Sequence, residues 1–171
     1  MATTTHSAVT IDEYLHSSYH PDRDYVDGEL QERNMGERDH AEVQIALGYW
    51  LRGHDKEWNT KSYTELRMRV GPSRFRVADV CIYRRDEVLE QVPTRPPLAV
   101  IEILSPEDRF SRYEQRFDDY RTMGVRHIWV IDPQTRRGYD CSTGSWIEAK
   151  SFAAENSPIS IDLSVIFAEL G

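Results

Sequence analysis

The run "LAVIEIL", residues 98–104, narrows what this chain can become more than any other segment. Leu98, Ala99, Val100, Ile101, Ile103 and Leu104 put apolar side chains on both faces of an extended strand. Such a strand has to be covered on both sides, as in the interior of a sheet with helices packed against it. Glu102 sits in the middle. An isolated buried carboxylate is costly unless it is paired, hydrogen-bonded, protonated or bound to a cation.

The rest of the chain supplies that sheet and its cover. Thr10 and Glu13 have capping-box spacing and predict a short helix in "TIDEYLHSS". Two strand-like runs flank Asp27-Gly28 in "RDYVDGELQER", a tight-turn signature. From about Arg38 to Trp58, Val43, Leu47, Trp50 and Leu51 recur on one helical face. Strands are expected in "SYTELRMRV" and, after Gly71-Pro72-Ser73, in "FRVADVCIY". Phe110, Tyr113, Phe117 and Tyr120 stripe a helix from about Asp108 to Met123, with Gly124 placed to end it. "VRHIWVID" reads as a further strand, "GYDCSTGSWIEAKSF" as a hairpin, and Leu163–Leu170 as a short closing helix. The order predicts an α/β fold, one mixed sheet flanked by helices, and at 171 residues a single domain over 1–171.

Composition limits the function classes. The terminus "MATTTHSAVT" has no basic run followed by an apolar stretch, so no secretory leader is expected, and no segment suits a membrane span. Cys81 and Cys141 fall on strand-like segments without metal-ligand spacing, which suits reduced thiols in a cytoplasmic protein. A net charge of −8 argues against tight non-specific duplex binding, although Arg109, Arg112, Arg116, Arg121 and Arg126 are locally dense and a local basic face can coexist with an acidic remainder. Phosphate-binding glycine loops, dinucleotide fingerprints and serine elbows are all missing.

Two acidic residues interrupt apolar strands: Asp79 in "RVADVCIY" and Glu102 in "AVIEILS". If they meet at one end of a shared sheet, they offer two hard oxygen donors to Mg²⁺ or Mn²⁺, and the Ile103 carbonyl offers a third. The same residues also suit an exposed strand edge or a pairing with a nearby arginine. Arg112 and Arg116, spaced i, i+4 beside the apolar stripe, read by themselves as a solvated helix face. His16 and His20 read as surface, Tyr120 and Trp129 as core, and Trp50 and Trp58 as core or interface.

"DYVDGELQERN", "HAEVQIALGYWL", "FRVADVCIY", "LAVIEILSPEDR" and "YRTMGVRHIWVIDP", from about Asp24 to Pro133, resemble the Uma-type putative restriction endonuclease family. That family is similar to PD-(D/E)XK nucleases, so the resemblance implies a restriction-endonuclease-like fold and a Mg²⁺-dependent site. Its strand aspartate falls on Asp79 and its strand glutamate on Glu102. The lysine usual two positions after the glutamate is Leu104 here. The lysine that relatives carry on the following helix matches Arg116, and an acidic residue of that helix matches Arg112. The match also brings Glu29 and His40 towards the pocket, Glu29 as an extra acidic ligand and His40 as a phosphate or water contact.

The implied reaction is metal-dependent hydrolysis of DNA backbone phosphodiesters, with Asp79, Glu102 and Arg116 as catalytic residues. Arginine keeps its charge at ordinary pH, so Arg116 stabilises charge but cannot act as a base. The rival expectation is a catalytically inactive nuclease fold serving as a binding or assembly module. Cutting both strands of a duplex suits a symmetric homodimer, which is the expected assembly.

Overall fold

In the computed structural model, residues 8–34, 36–106, 108 and 110–171 are described. Helix α1 (Ile11–His16) precedes the hairpin β1 (Arg23–Val26) and β2 (Glu29–Glu32). Then come helix α2 (Arg38–Trp58), the long strands β3 (Thr60–Gly71) and β4 (Arg74–Arg84), and β5 (Ala99–Ile103). Helix α3 (Phe110–Met123) leads to β6 (His127–Asp132), β7 (Arg137–Asp140), β8 (Ile147–Ala149), β9 (Ser151–Ala153), β10 (Ser160–Asp162) and α4 (Leu163–Ala168). The main sheet has 8 strands and is mixed, because β5 and β6 run parallel while its other pairs are antiparallel.

Local chemistry accounts for the element ends. Thr10 and Glu13 close the expected capping box at the start of α1. Asp27 and Gly28 both take positive φ, which lets a two-residue turn match the strand twist. At the end of α3, Gly124 has φ +106, and the Val125 N–H reaches the Tyr120 carbonyl at 2.9 Å. The C-terminal hairpin departs from expectation. "GYDCSTGSWIEAKSF" supplies β7 and β8, but the chain leaves the main sheet at Lys150, and Ser151–Ala153 pairs instead with β10 in a separate two-stranded sheet.

Strand β5 is buried along its whole length, as its sequence requires. Ala99, Ile101 and Ile103 join the core beneath α2 and α4, together with Val43, Leu47, Leu51 and Ile166. Val100 packs on the opposite side with Tyr113, Phe117 and Tyr120 of α3. Asp55, near the end of α2, is buried and accepts from Thr60 Oγ1 and from the Ser62 N–H and Oγ, which fastens the helix to β3. Trp129 and Tyr120 are core residues, Trp50 and Trp58 pack against the core, and His16 and His20 are exposed.

One irregularity shapes everything that follows. β3 pairs along β4 from Arg74 to Arg84, so β1 and β5 share the other edge of β4. There β1 reaches only Arg74 and Phe75, and β5 begins only at Val80. Between them, residues 76–79 have no strand neighbour on that edge.

Candidate active site

Side chains complete the hydrogen bonds that the sheet omits. The Val77 N–H donates to Asp24 Oδ1 at 2.9 Å, and the Val77 carbonyl accepts from Arg116 Nη2 at 2.8 Å. Buried backbone groups left without partners are costly, so this substitution explains why polar residues of β1 and α3 turn inward here. Arg76 is fully buried and bridges Asp24 Oδ2 at 3.0 Å and Asp119 Oδ2 at 2.7 Å. Arg116 also donates to Asp24, so one carboxylate neutralises two guanidinium groups.

Asp79 follows directly. The last β4–β5 pair on this side is Val80 with Ile101, and continuing that register sets Asp79 opposite Glu102. Asp79 Oδ1 accepts from Arg33 Nη2 at 2.6 Å, and Oδ2 from the Ile103 N–H at 2.8 Å. His40 Nε2 lies 3.4 Å from Oδ2, and Gln44 holds the Asp79 carbonyl at 3.0 Å. Burial alone would raise the Asp79 carboxyl. The His40 hydrogen bond, the Arg33 and His40 charges and the Ile103 N–H outweigh it and hold the group at about 2. Burial likewise works against a charged His40, but its partner Asp79 leaves the imidazole above its usual value.

Glu102 behaves in the opposite way. Burial pushes its carboxyl up to about 7, against the pull of Arg116 and the Tyr120 hydroxyl and with the repulsion of Asp79. Arg116 Nη2 at 2.9 Å and the Tyr120 hydroxyl both donate to Oε1. Among the described residues no hydrogen bond ends on Oε2. The site therefore pairs a firmly ionised carboxylate with one that takes up a proton near neutrality.

The expected site residues separate clearly. Asp79, Glu102, Ile103, His40 and Arg116 all line one small cleft of about 50 Å³, together with Arg33, Arg76 and Arg112. Glu29 does not reach it. It shares a strand face with Gln31, which does line the cleft, but lies two residues nearer the hairpin turn and is exposed. Arg116 is not on a solvated helix face but buried, its Nη1 and Nη2 turned to Asp24, Glu102, Tyr120 and the Val77 carbonyl. Nor do the arginines share one basic face. Arg112 donates to the Glu32 carbonyl, Arg121 to Asp118 and the Cys141 carbonyl, and Arg126 is exposed beside a different cavity, while Arg109 lies outside the described residues. Asp24, Arg33, Arg76 and Tyr120 are members of the network that the sequence did not single out as functional.

The donors can be tested against a divalent cation. Among the described residues, no three histidine, cysteine, aspartate or glutamate side chains cluster as metal ligands. Two carboxylates facing one polar cleft nonetheless suit Mg²⁺, which keeps several waters and takes one or two protein carboxylates. Glu102 Oε2, on which no hydrogen bond ends among the described residues, fits that role.

A family model described as "Uma2: Putative restriction endonuclease" matches residues 11–159. The fold is similar to the crystal structure of a putative nuclease belonging to DUF820 from Anabaena variabilis ATCC 29413. The TM-score is 0.80 and the identity 18 %, over 95 % of this chain and 99 % of that one. Among curated proteins none matches.

Proposed function

The chain belongs to the Uma2 putative restriction endonuclease family, and from that premise we propose that it is a metal-dependent endonuclease hydrolysing DNA phosphodiesters. The observation that carries this reading is the juxtaposition of Asp79 and Glu102 where β4 lacks a neighbour, with the described partners of Glu102 all on Oε1. In it, Asp79 and Glu102 hold Mg²⁺ or Mn²⁺, with the Ile103 carbonyl as a further donor, and the bound ion supplies an activated water and stabilisation of phosphoryl charge.

The protein's own groups do the positioning. His40, Arg33 and the Ile103 N–H fix the Asp79 carboxylate. Arg116 and Tyr120 hold Glu102 by Oε1 and so aim Oε2. With these partners, Arg116 serves to orient Glu102 and to offset the carboxylates of the cleft rather than to shuttle a proton. Arg112, on the cleft wall, offers a cation to a backbone phosphate. Hydrolysis then forms one P–O bond from water and breaks the in-line P–O bond to the sugar.

One observation favours a second reading. Each carboxylate already has a guanidinium partner, Arg33 on Asp79 and Arg116 on Glu102. A site neutralised in this way also suits an inactive nuclease fold acting as a binding or assembly module. Cleavage of supercoiled and single-stranded DNA with Mg²⁺ or Mn²⁺ separates the two, comparing the parent protein, Glu102→Ala and Arg116→Lys. Activity in the parent that vanishes in Glu102→Ala is expected. Silence in all three, with no cation binding by calorimetry, would establish the binding module instead.

A homodimer and a cytoplasmic setting belong to the same proposal. The exposed Ile45 and Tyr49 on α2 offer a face for a second copy, and a monomeric mass in light scattering at micromolar concentration would remove it. Both cysteines are free and buried, as a reducing compartment allows. Among the described residues, no helix is long and apolar enough to cross a membrane.

A further inference from the structure

Next to the Asp79–Glu102 cleft lies a second cavity, of about 270 Å³, and the two share His40, Ser105, Asp108 and Tyr113 as walls. Asp108 forms the partition. It accepts from the Ser105 N–H at 2.6 Å and from the Tyr113 hydroxyl at 2.5 Å, which fixes the connection between β5 and α3.

The two cavities differ in chemistry. In the first, Arg33, Arg76, Arg112 and Arg116 stand among the carboxylates of Asp24, Glu32, Asp79, Glu102 and Asp108. The described lining of the second contains no arginine or lysine. Its acidic groups are Glu37, Asp39, Asp108 and Asp132, set among apolar surface that includes Phe110 and Pro133. Among the described residues the acidic groups disfavour a phosphate there, and His40 on the shared wall is the one group able to carry a positive charge. Asp108 and Asp132 already accept from neighbours on both oxygens, so Glu37 and Asp39 are the carboxylates that would take hydrogen bonds from the exocyclic amine of a base.

Phe110 supplies the plane. It opens α3 and is 68 % exposed, yet it is not loose. Trp146 meets its ring at 5.1 Å and 70°. The Trp146 indole N–H is in turn held by Glu114 Oε1 at 2.6 Å. A large aromatic fixed by an edge contact but open to solvent has the character of a stacking platform, since every base has a face to offer it.

We propose that the second cavity receives a nucleobase, stacked on Phe110, from the strand whose phosphate enters the Asp79–Glu102 cleft. This rests on the nuclease reading and specifies its substrate: a base can enter only from single-stranded DNA, or from duplex in which that base has left the stack. The net charge of −8 agrees with a protein that gains affinity from stacking more than from neutralising phosphates.

The test is binding of an oligonucleotide carrying 2-aminopurine, offered single-stranded and as a duplex, in EDTA so that nothing is cleaved. Single-stranded DNA should bind more tightly, and stacking should change the fluorescence of the label. Phe110→Ala should weaken that binding about ten-fold and abolish the fluorescence change, and Phe110→Trp should restore both. Because Phe110 is exposed, unchanged circular dichroism is expected in both variants. The proposal is overturned if Phe110→Ala leaves affinity and fluorescence as they were, if duplex binds as well as single strand, or if no oligonucleotide binds. Cleavage is read separately with Mg²⁺ or Mn²⁺. A protein that hydrolyses nothing but shows the Phe110-dependent fluorescence change keeps the base subsite and loses the nuclease; one that cleaves without that change loses only the subsite.

Discussion

Strand β4 carries two solutions to the same problem within a few residues. From Val80 to Tyr83 it lies between β3 and the β5 end of the sheet, and its side chains are Val, Cys, Ile and Tyr, all fully buried. From Arg76 to Asp79 one edge has no strand beside it, yet Arg76 and Asp79 are 1 % and 4 % exposed. In the first stretch the backbone is satisfied by strands and the side chains are free to be apolar. In the second, Asp24 and Arg116 satisfy the backbone, and their charges then require Arg76 and Glu102. An interrupted ladder thus brings a set of charges into the interior, and those charges are what the candidate site is made of.

The contrast can be broken most sharply at Asp24. Asp24→Ala leaves Arg76, Arg116 and the Val77 N–H without a shared partner, and should cost about 3–5 kcal/mol in urea unfolding. A loss below about 1 kcal/mol would mean that solvent fills the gap and the network is dispensable.

A smaller effect, with a particular pH signature, is expected at Glu102. Its carboxyl is raised from 4.5 to about 7, burial being the largest cause. The folded state therefore holds this proton more tightly than the unfolded chain does. The resulting stabilisation is present in full below 4.5 and is lost as pH rises through about 7, by at most about 3 kcal/mol. Glu102→Gln cannot titrate, so its stability relative to the parent should improve between pH 5 and pH 8. Parallel pH profiles for the two proteins would contradict the raised value. The paired half of β4 should respond least. Ile82→Val removes one methylene from an apolar contact and should cost about 1 kcal/mol, with no dependence on pH.

The same contrast explains what could be read from the sequence. β5, the stripes of α2 and α3, the Asp27-Gly28 turn and the Gly124 stop depend on near neighbours, so periodicity and turn chemistry reveal them. Asp79 and Glu102 stood out because a carboxylate inside an apolar strand breaks its own pattern. Asp24, Arg33 and Arg76 break none: in "RDYV", "QERN" and "RFRV" they look like ordinary charged residues near turns. Their partners lie 46 to 92 positions away for Arg33–Asp79, Arg76–Asp24 and Arg116–Asp24. Only the topology, with β1 and β5 sharing one edge of β4, brings them together. Glu29 went the other way, since proximity in sequence to the cleft-lining Gln31 did not carry its own side chain there.

The hairpin of β1 and β2 joins the rest of the sheet by pairing at Tyr25 and Val26, by a bond from the Asp27 N–H to the Ser73 carbonyl, and by the packing of Tyr25 against Tyr14 and Phe75. Asp24 stands one residue from that small cluster and is held to Arg76 and Arg116 by ion pairs, while β5 and β6 are locked into the two larger cores. Segments of such unequal tenacity come apart in sequence on warming, the weaker well before the stronger. The hairpin has the smaller cluster, and its opening would take Asp24 from Arg116 and leave Glu102 as that guanidinium's carboxylate partner. The charge balance of the site is thus tied to a four-residue strand, and any opening of the hairpin ahead of global unfolding would register as loss of the site while the core persists.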